Sequence, residues 1–366
     1  MKRKRILHLI TGLEIGGAEM MLLKTLPKMQ DDFDNRVCCI MGHGPMGKKL
    51  EEAGIPVYYL NLKNIFELGL ILRFRKVTKE LKPNILVTYL IHADLFGRVF
   101  GRLFGIKKII CNQRGSLLQW EFLRVIDRLT KCLVTHYIVQ TKVTKRELAQ
   151  KLHLPLEKFT VIPNSIDVSE YKFELDKDAK KKELGINPTN QNIVCVSNLR
   201  RSKGHEYLLE AFEEIYAKNN NINLLIVGDG EREVELREKT ENYSSKNNIY
   251  FLGKRSDVKE ILRISDVFIL PTLAEGMSNA IMEAMATGLA IITTAIEVNK
   301  ELIQDNYSGL LVPTQNSIAI SQSIDKITYN LKLKNQLRFN AKEKIINNFS
   351  VKACVEKTKN LYNTIL

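Results

Sequence analysis

The chain reads as α/β, built from two doubly wound parallel-sheet domains in succession. Three observations predict this. Short β-branched apolar runs alternate with helical patterns along its length, and a strongly charged stretch interrupts the alternation once. In addition, 366 residues exceed what one ordinary core holds.

In the first half, strands are expected at Arg5–Ile10, Arg36–Met41, Val57–Leu60, Ile85–Tyr89, Lys108–Cys111 and Tyr137–Gln140. Helical patterns separate them at Ala18–Met29, Ile65–Lys82, Asp94–Phe104 and Trp120–Leu133. Strands this apolar imply a parallel sheet covered on both faces. Val161-Ile162-Pro163-Asn164 closes this domain, taken as residues 1–168. Residues 169–192 turn charged and polar, almost wholly ionic from Asp176 to Glu183, and read as a linker. The alternation restarts with strands at Ile193–Ser197, Asn223–Val227, Ile249–Leu252, Val267–Leu270, Ala290–Thr293 and Leu310–Val312, giving a second domain over 193–348. Residues 349–366 end in a helical pattern, Val351–Leu366, outside both sheets. Two such domains facing across a cleft would place a ligand where the carboxyl ends of both sheets meet.

Composition narrows the class. With 45% hydrophobic and 26% charged residues the chain is globular. No apolar run approaches the roughly 18 residues of a spanning helix. Lys2 to Arg5 followed by Ile6–Ile10 imitates a leader, but the run is short, holds His8 and meets Gly16-Gly17 without a small-residue cleavage site, so it reads as a first buried strand. Cysteines 38, 39, 111, 132, 195 and 354 show neither a C-x-x-C pair nor zinc spacing, which suits a reducing cytoplasm. The charge is lopsided. Residues 1–165 hold 28 Lys and Arg against 14 Asp and Glu, leaving 27 of the 55 basic and 27 of the 41 acidic residues for the rest. A surplus of +14 confined to one half suggests a polyanionic partner there, a membrane surface or nucleic acid.

Three segments carry chemistry. The run Leu270-Pro271-Thr272-Leu273-Ala274-Glu275-Gly276-Met277-Ser278-Asn279 leaves a buried strand and enters the helix Ala280–Thr287. The helix start offers free N–H groups to an anion, and Glu275 and Glu283 can approach one pocket from loop and helix to bind a sugar diol. Ser197 to Gly204 follows another strand, with Asn198 on the loop and Arg200 and Lys203 able to converge on a pyrophosphate. Gly228-Asp229-Gly230 is a strand-to-helix turn whose backbone must approach something closely. Third, Thr11 to Glu19 carries Gly16 and Gly17 at the turn after the first strand. The G-x-G-x-x-G pattern and its following acid are missing from the first half, which disfavours nicotinamide binding.

These motifs, with Phe251-Leu252-Gly253 and Glu283-Ala284-Met285-Ala286-Thr287-Gly288, stand in the order of the family-four retaining glycosyltransferases, glycosyltransferase group 1, which the whole chain resembles. The resemblance implies the GT-B fold, two Rossmann-like doubly wound domains, and a role in bacterial surface-polysaccharide biosynthesis. It implies that Glu283 binds the nucleotide ribose and Glu275 faces the donor sugar. Arg200 and Lys203 would neutralise the diphosphate, and the backbone of Gly276, Met277, Ser278 and Asn279 would meet donor hydroxyls and phosphate. His92, in Tyr89-Leu90-Ile91-His92-Ala93-Asp94, resembles the family histidine that contacts the sugar near its reacting carbon. Two departures are Asn164-Ser165 where Asn-Gly is usual and Ser278 where proline is frequent.

The expected activity is therefore metal-independent transfer of a hexose or N-acetylhexosamine from a UDP-linked nucleotide sugar to a glycan or lipid-linked acceptor. No cofactor and no metal are expected, since the six histidines show no i, i+4 pairing. A nucleotide-sugar epimerase on the same fold is the main alternative, and a basic nucleic-acid-binding protein a weaker one, because the basic residues do not adjoin the glutamate block and no RNA-binding motif appears. Arg73–Lys82 and Arg98–Lys108, with Phe96, Phe100 and Phe104 interleaved, suggest helices lying on an anionic membrane, with core packing an equal reading for the phenylalanines. The expected location is cytoplasmic, on the inner face of the cell membrane.

Overall fold

The computed structural model describes residues 3–64, 67–113 and 121–366. The chain divides into two compact units, Met1–Ser165 with Val351–Leu366, and Ile166–Ser350.

The first unit runs β1 (Lys4–Ile10), α1 (Gly17–Thr25), β2 (Phe33–Cys39), α2 (Pro45–Glu52), β3 (Val57–Tyr59), α3 (Gly69–Leu81), β4 (Ile85–Tyr89), α4 (Ile91–Leu103), β5 (Ile109–Asn112), α5 (Glu121–Thr130), β6 (His136–Val139), α6 (Lys142–Leu152) and β7 (Phe159–Val161). Its sheet has the order β3-β2-β1-β4-β5-β6-β7, all parallel. β1 pairs β2 from Lys4 opposite Phe33 to Ile10 opposite Cys39. The central strands are buried nearly end to end, as a sheet covered on both faces requires. Ala18–Met29 is not one helix: Pro27 cannot supply an α-helical N–H, so α1 ends and Pro27–Met29 forms a single 3₁₀ turn. β7, not among the expected strands and ending in the closing Val161–Asn164 run, completes the edge. The expected starts of two helices, Ile65 and Trp120, lie outside the described residues.

The second unit runs α7 (Lys177–Glu183), β8 (Gln191–Val196), α8 (His205–Tyr216), β9 (Ile222–Val227), α9 (Glu233–Thr240), β10 (Ile249–Gly253), α10 (Val258–Arg263), β11 (Val267–Leu270), α11 (Asn279–Thr287), β12 (Ala290–Thr294), α12 (Glu297–Leu302), β13 (Leu310–Val312), α13 (Ser317–Thr328) and α14 (Leu331–Phe349). Its parallel sheet has the order β10-β9-β8-β11-β12-β13. The charged stretch 169–192 is not a linker. Tyr171 and Ile186 are buried in this unit's core, and Lys180 is held by Asp257 at 2.6 Å and Glu260 at 2.7 Å. These contacts make the segment part of the fold although most of its charged side chains stay exposed, so the unit begins at Ile166 and ends at Ser350.

The final helix, α15 (Val351–Ile365), belongs to the first unit. Val351, Cys354, Val355, Leu361 and Tyr362 pack among Met21, Leu22, Met29 and Phe33. The rings of Tyr362 and Phe33 meet edge to face at 5.6 Å, and Lys359 pairs with Asp32 at 2.7 Å. Among the described residues no helix is long and apolar enough to cross a membrane.

The phenylalanines of α4 are half-buried and pack against the first unit's core, as the core-packing alternative expects. Phe96 and Phe104 lie 5.2 and 6.0 Å from the buried Phe74 ring of α3, and Phe100 lies tilted between its α4 neighbours at 4.8 and 6.2 Å. On the other side α4 presses on β1 and β4 through Gly97, where a Cβ would meet Thr88 and Leu9. Arg73 is tied back to the fold although 37% of its side chain is exposed: it pairs with Glu67 at 2.8 Å and donates to the Leu60 carbonyl.

Candidate active site

Strand order reverses between β1 and β4 in the first sheet and between β8 and β11 in the second. Loops leaving the carboxyl ends of such neighbouring strands diverge and open a crevice, where ligands bind in doubly wound folds. The second unit's crevice is flanked by the loop after β8, with Asn198, Arg200 and Lys203, and the loop after β11, with Glu275 to Asn279. The first unit's is flanked by the loop after β1, with Gly16 and Gly17, and the turn after β4, with His92. Topology thus brings the sequence-predicted residues of each unit to one sheet edge.

The two loops of the second unit are tied together. The Leu273 N–H donates to the Ser202 carbonyl at 2.7 Å, and the Thr272 hydroxyl donates to it at 3.0 Å. Gly204, at φ +66°, abuts the Pro271 carbonyl, a close approach and a left-handed backbone that together require glycine. Lys203 Nζ lies 2.5 Å from Glu275 Oε1, and both side chains are mostly buried. Asn198 and Arg200 are exposed. Among the described residues the Arg200 guanidinium has no hydrogen-bond or ion-pair partner, so the crevice presents one available cation beside one held by a carboxylate.

Gly228 and Gly230 serve this frame. At φ +134° Gly228 lies against the Ser197 carbonyl, and a Cβ on Gly230 would come within 2.6 Å of the Leu199 carbonyl oxygen. The Leu199 N–H donates to the Asp229 carbonyl at 2.8 Å. What these glycines let the backbone approach is therefore the neighbouring loop that carries Arg200.

Helix α11 starts at the crevice. Ser278 is its N-cap, its Oγ accepting the Ile281 N–H at 3.3 Å, so the residue standing where proline is frequent caps the helix by its side chain. The first amides and the positive dipole end face outward from the start of α11. Met277 and Ser278 are buried, whereas Gly276 and Asn279 are exposed. Glu283 is half-buried within α11 and stands by the 168–171 turn, where burial, then the charges of Glu283 and Glu170, push the Tyr171 hydroxyl far above its ordinary range. The segment misread as a linker thus forms part of the surroundings of Glu283.

Sequence reasoning missed His205, the first residue of α8. It is fully buried, with Nε2 3.0 Å from Ser197 Oγ and no partner at Nδ1 among the described residues. Burial, then Arg232 and Lys203, lowers it to about 4, so it is neutral at pH 7. Without i, i+4 spacing or a glycine motif to mark it, only its burial beneath the β8 loop reveals it.

In the first unit, Gly16 caps α1 and Gly17 opens it. The carboxylate of the buried Glu19 folds back against Gly16, so this helix start already carries an anion. His92 lies exposed in the first turn of α4. It follows Leu90, whose φ of +68° and ψ of +151° is a strained conformation for a branched side chain. The turn is anchored from below. The Ala93 N–H donates to Thr11 Oγ1 at 3.3 Å, and buried Asp94 accepts from Thr88, Arg98 and Gln113, each at 2.6 Å. Arg98, with no exposed surface, also pairs with Asp127 of α5.

Comparison with known proteins identifies the family and the fold. The family model described as Glycosyltransferase Family 4 matches residues 15–170, and that described as Glycosyl transferases group 1 matches 176–344. The chain is 28% identical, over 98% of its length and 95% of the relative's, to an Escherichia coli UDP-Gal:alpha-D-GlcNAc-diphosphoundecaprenol alpha-1,3-galactosyltransferase. It is 25% identical, over 90% of both chains, to a Campylobacter jejuni N,N'-diacetylbacillosaminyl-diphospho-undecaprenol alpha-1,3-N-acetylgalactosaminyltransferase. In structure it is similar to Anabaena HepE crystallised with UDP, at a TM-score of 0.85, 19% identity and coverage of 98% and 100%. A glycosyltransferase from Rickettsia africae gives a TM-score of 0.87 at 20% identity, covering 100% and 99%. Two parallel-sheet units with these neighbours and both family matches in register make the fold GT-B, and the chain belongs to the group 1, family 4 glycosyltransferases.

Proposed function

We propose that this glycosyltransferase transfers a hexose or N-acetylhexosamine from a UDP-linked donor to a lipid-linked glycan acceptor in bacterial surface-polysaccharide assembly. It does so with retention of configuration and without a metal ion. The single observation that carries the reading is the second crevice: Arg200 and the Lys203–Glu275 pair stand on two bonded loops beside the start of α11. The names of the two undecaprenol-dependent relatives support the acceptor class, and the UDP held by HepE supports the donor.

In this mechanism the bond from the anomeric carbon to the diphosphate oxygen breaks as the acceptor hydroxyl bonds to the same face of that carbon. The acceptor proton passes to the departing diphosphate. Arg200, Lys203 and the start of α11 stabilise charge growing on the leaving group, electrostatic preorganisation that takes the place of a divalent cation. Arrival of the diphosphate draws Lys203 from Glu275, freeing that carboxylate for the sugar hydroxyls. Glu283 accepts from the ribose diol, Gly276 to Asn279 offer backbone donors, and His92 contacts the sugar. The chain works at the inner face of the cell membrane, where such an acceptor resides.

The test is a melting-temperature panel of nucleotide sugars in EDTA, because a ligand that binds only the folded state raises the midpoint. A UDP-sugar should stabilise the wild type with EDTA present, and Lys203→Ala and Glu283→Ala should each lose most of that shift. Stabilisation that needs added Mn²⁺ or Mg²⁺, or variants that keep the full shift, would overturn the metal-free site.

A further inference from the structure

We propose that His205 is a positioning residue for the donor's diphosphate: bonded to Ser197, it closes the neck of the loop that presents Arg200 and Lys203 to the two phosphates. This role rests on the nucleotide-sugar reading of the second crevice. It adds the buried group that lets the crevice tell a diphosphate from a monophosphate.

Loop 198–204 leaves β8 beside Ser197 and enters α8 at His205, so these two residues are the posts of its neck. His205 Nε2 lies 3.0 Å from Ser197 Oγ. The backbone around the neck is held point by point. The Ser197 N–H donates to the Val227 carbonyl at 3.0 Å, the Arg232 N–H to the Leu199 carbonyl at 3.1 Å, and the Lys203 N–H to the Arg200 carbonyl at 2.9 Å. Leu199 is buried as a plug, while Asn198, Arg200 and Arg201 are exposed. The loop after β11 is fixed from its other side. There the Thr272 carbonyl accepts from Thr294 Oγ1, and Asn299 of α12 donates to Thr293 Oγ1 at 2.9 Å and to the Thr294 carbonyl at 3.0 Å. Opening the neck would therefore shift Arg200 and Lys203 against a stationary Glu275 and α11 start. Two cations on one loop then no longer answer two phosphates.

A residue kept for stability alone would not be built this way. His205 has no exposed surface, and its Nδ1 has no partner among the described residues. An unmade hydrogen bond in the interior costs stability, which an apolar side chain would avoid. Burial, then Arg232 and Lys203, keep the imidazole neutral at pH 7, and it stands at the positive start of α8. Those two cations are themselves engaged, Arg232 by Glu206 and Glu235 at 2.7 Å each, and Lys203 by Glu275. A neutral ring at the neck supplies a hydrogen bond without entering the crevice's charge balance as a further cation.

The experiment titrates the full chain with UDP and with UMP in EDTA at pH 8, with melting midpoints recorded to show that each variant is folded. The wild type should bind UDP at least about tenfold more tightly than UMP, because charge-assisted hydrogen bonds hold the second phosphate. His205→Leu and Ser197→Ala should each shrink that preference below about threefold while leaving UMP affinity within about twofold of wild type. His205→Gln, whose amide nitrogen reaches Ser197 Oγ, should keep the preference. A preference that survives both His205→Leu and Ser197→Ala overturns the proposal. So does equal weakening of UDP and UMP, the mark of a generally loosened unit. A His205→Gln variant as defective as His205→Leu overturns it too, since ring shape and not the bond to Ser197 would then set the loop. If His205→Leu does not fold, Ser197→Ala, which removes one oxygen, decides the matter by the same ratio. A wild type that binds neither nucleotide refutes the donor reading and this role with it, a result distinct from a preference that the variants leave untouched.

Discussion

Replacing Arg98 with methionine should destabilise the protein in a way that depends on pH. Arg98 has no exposed surface and lies between two buried carboxylates, Asp94 and Asp127. Methionine fills much the same length, so the perturbation is chiefly the loss of the only positive charge described in this cluster, leaving two like charges buried together. Breaking a buried ion pair from one side costs about 3–5 kcal/mol, and that range is expected at pH 8. Without Arg98, burial and mutual repulsion raise the folded-state carboxyl pKa above the unfolded value. A group raised in this way contributes stability at low pH that is lost as pH rises through its folded pKa. The difference between wild type and variant should therefore shrink between pH 8 and pH 5. Urea unfolding of both proteins across that range, followed by tryptophan-independent far-ultraviolet dichroism, measures it. Because the network holds the helical turn bearing His92, turnover should fall along with stability. A difference below about 1 kcal/mol at pH 8, or one independent of pH, would refute the argument.

Two further outcomes follow from buried groups. His8 is fully buried between Tyr89 and Asn35 and lowered to about 4 by burial, as is His205. Each is protonated more readily in the unfolded chain, so stability should fall with pH between 6.5 and about 4. The slope should approach roughly 1.4 kcal/mol per pH unit for each histidine, and His8→Gln should remove one such contribution; an unchanged slope would count against it. Phe74→Ala should cost about 3–5 kcal/mol in urea unfolding, since Phe74 is fully buried against Phe96 and Phe104. A cost under about 1 kcal/mol would mean these rings do not form the packed layer described.

Local chemistry made most of the architecture legible in advance. A strand buried on both faces must be apolar throughout, so runs such as Ile85–Tyr89, Val267–Leu270 and Ala290–Thr293 declared themselves, and α11 was placed within a residue at its start. The motifs around Arg200, Lys203, Glu275 and Glu283 were visible because a glycine or a charge just after an apolar strand is a local pattern. Pairings between distant segments have no such signature. Only the strand orders, which set β8 beside β11 and β1 beside β4, bring the chosen loops to their crevices. The 169–192 stretch looked like a linker because its charges were counted without their partners, and Lys180 finds Asp257 and Glu260 far along the chain. The same limit applied to α4: its spacing showed that phenylalanines share a stripe, but whether that stripe met lipid or Phe74 depended on α3 being beside it. Sequence determines which side of each element is apolar; the neighbour that covers it, or leaves Leu72, Leu103 and Leu129 uncovered, is decided by tertiary packing, because burial is a property of the surroundings and not of the residue.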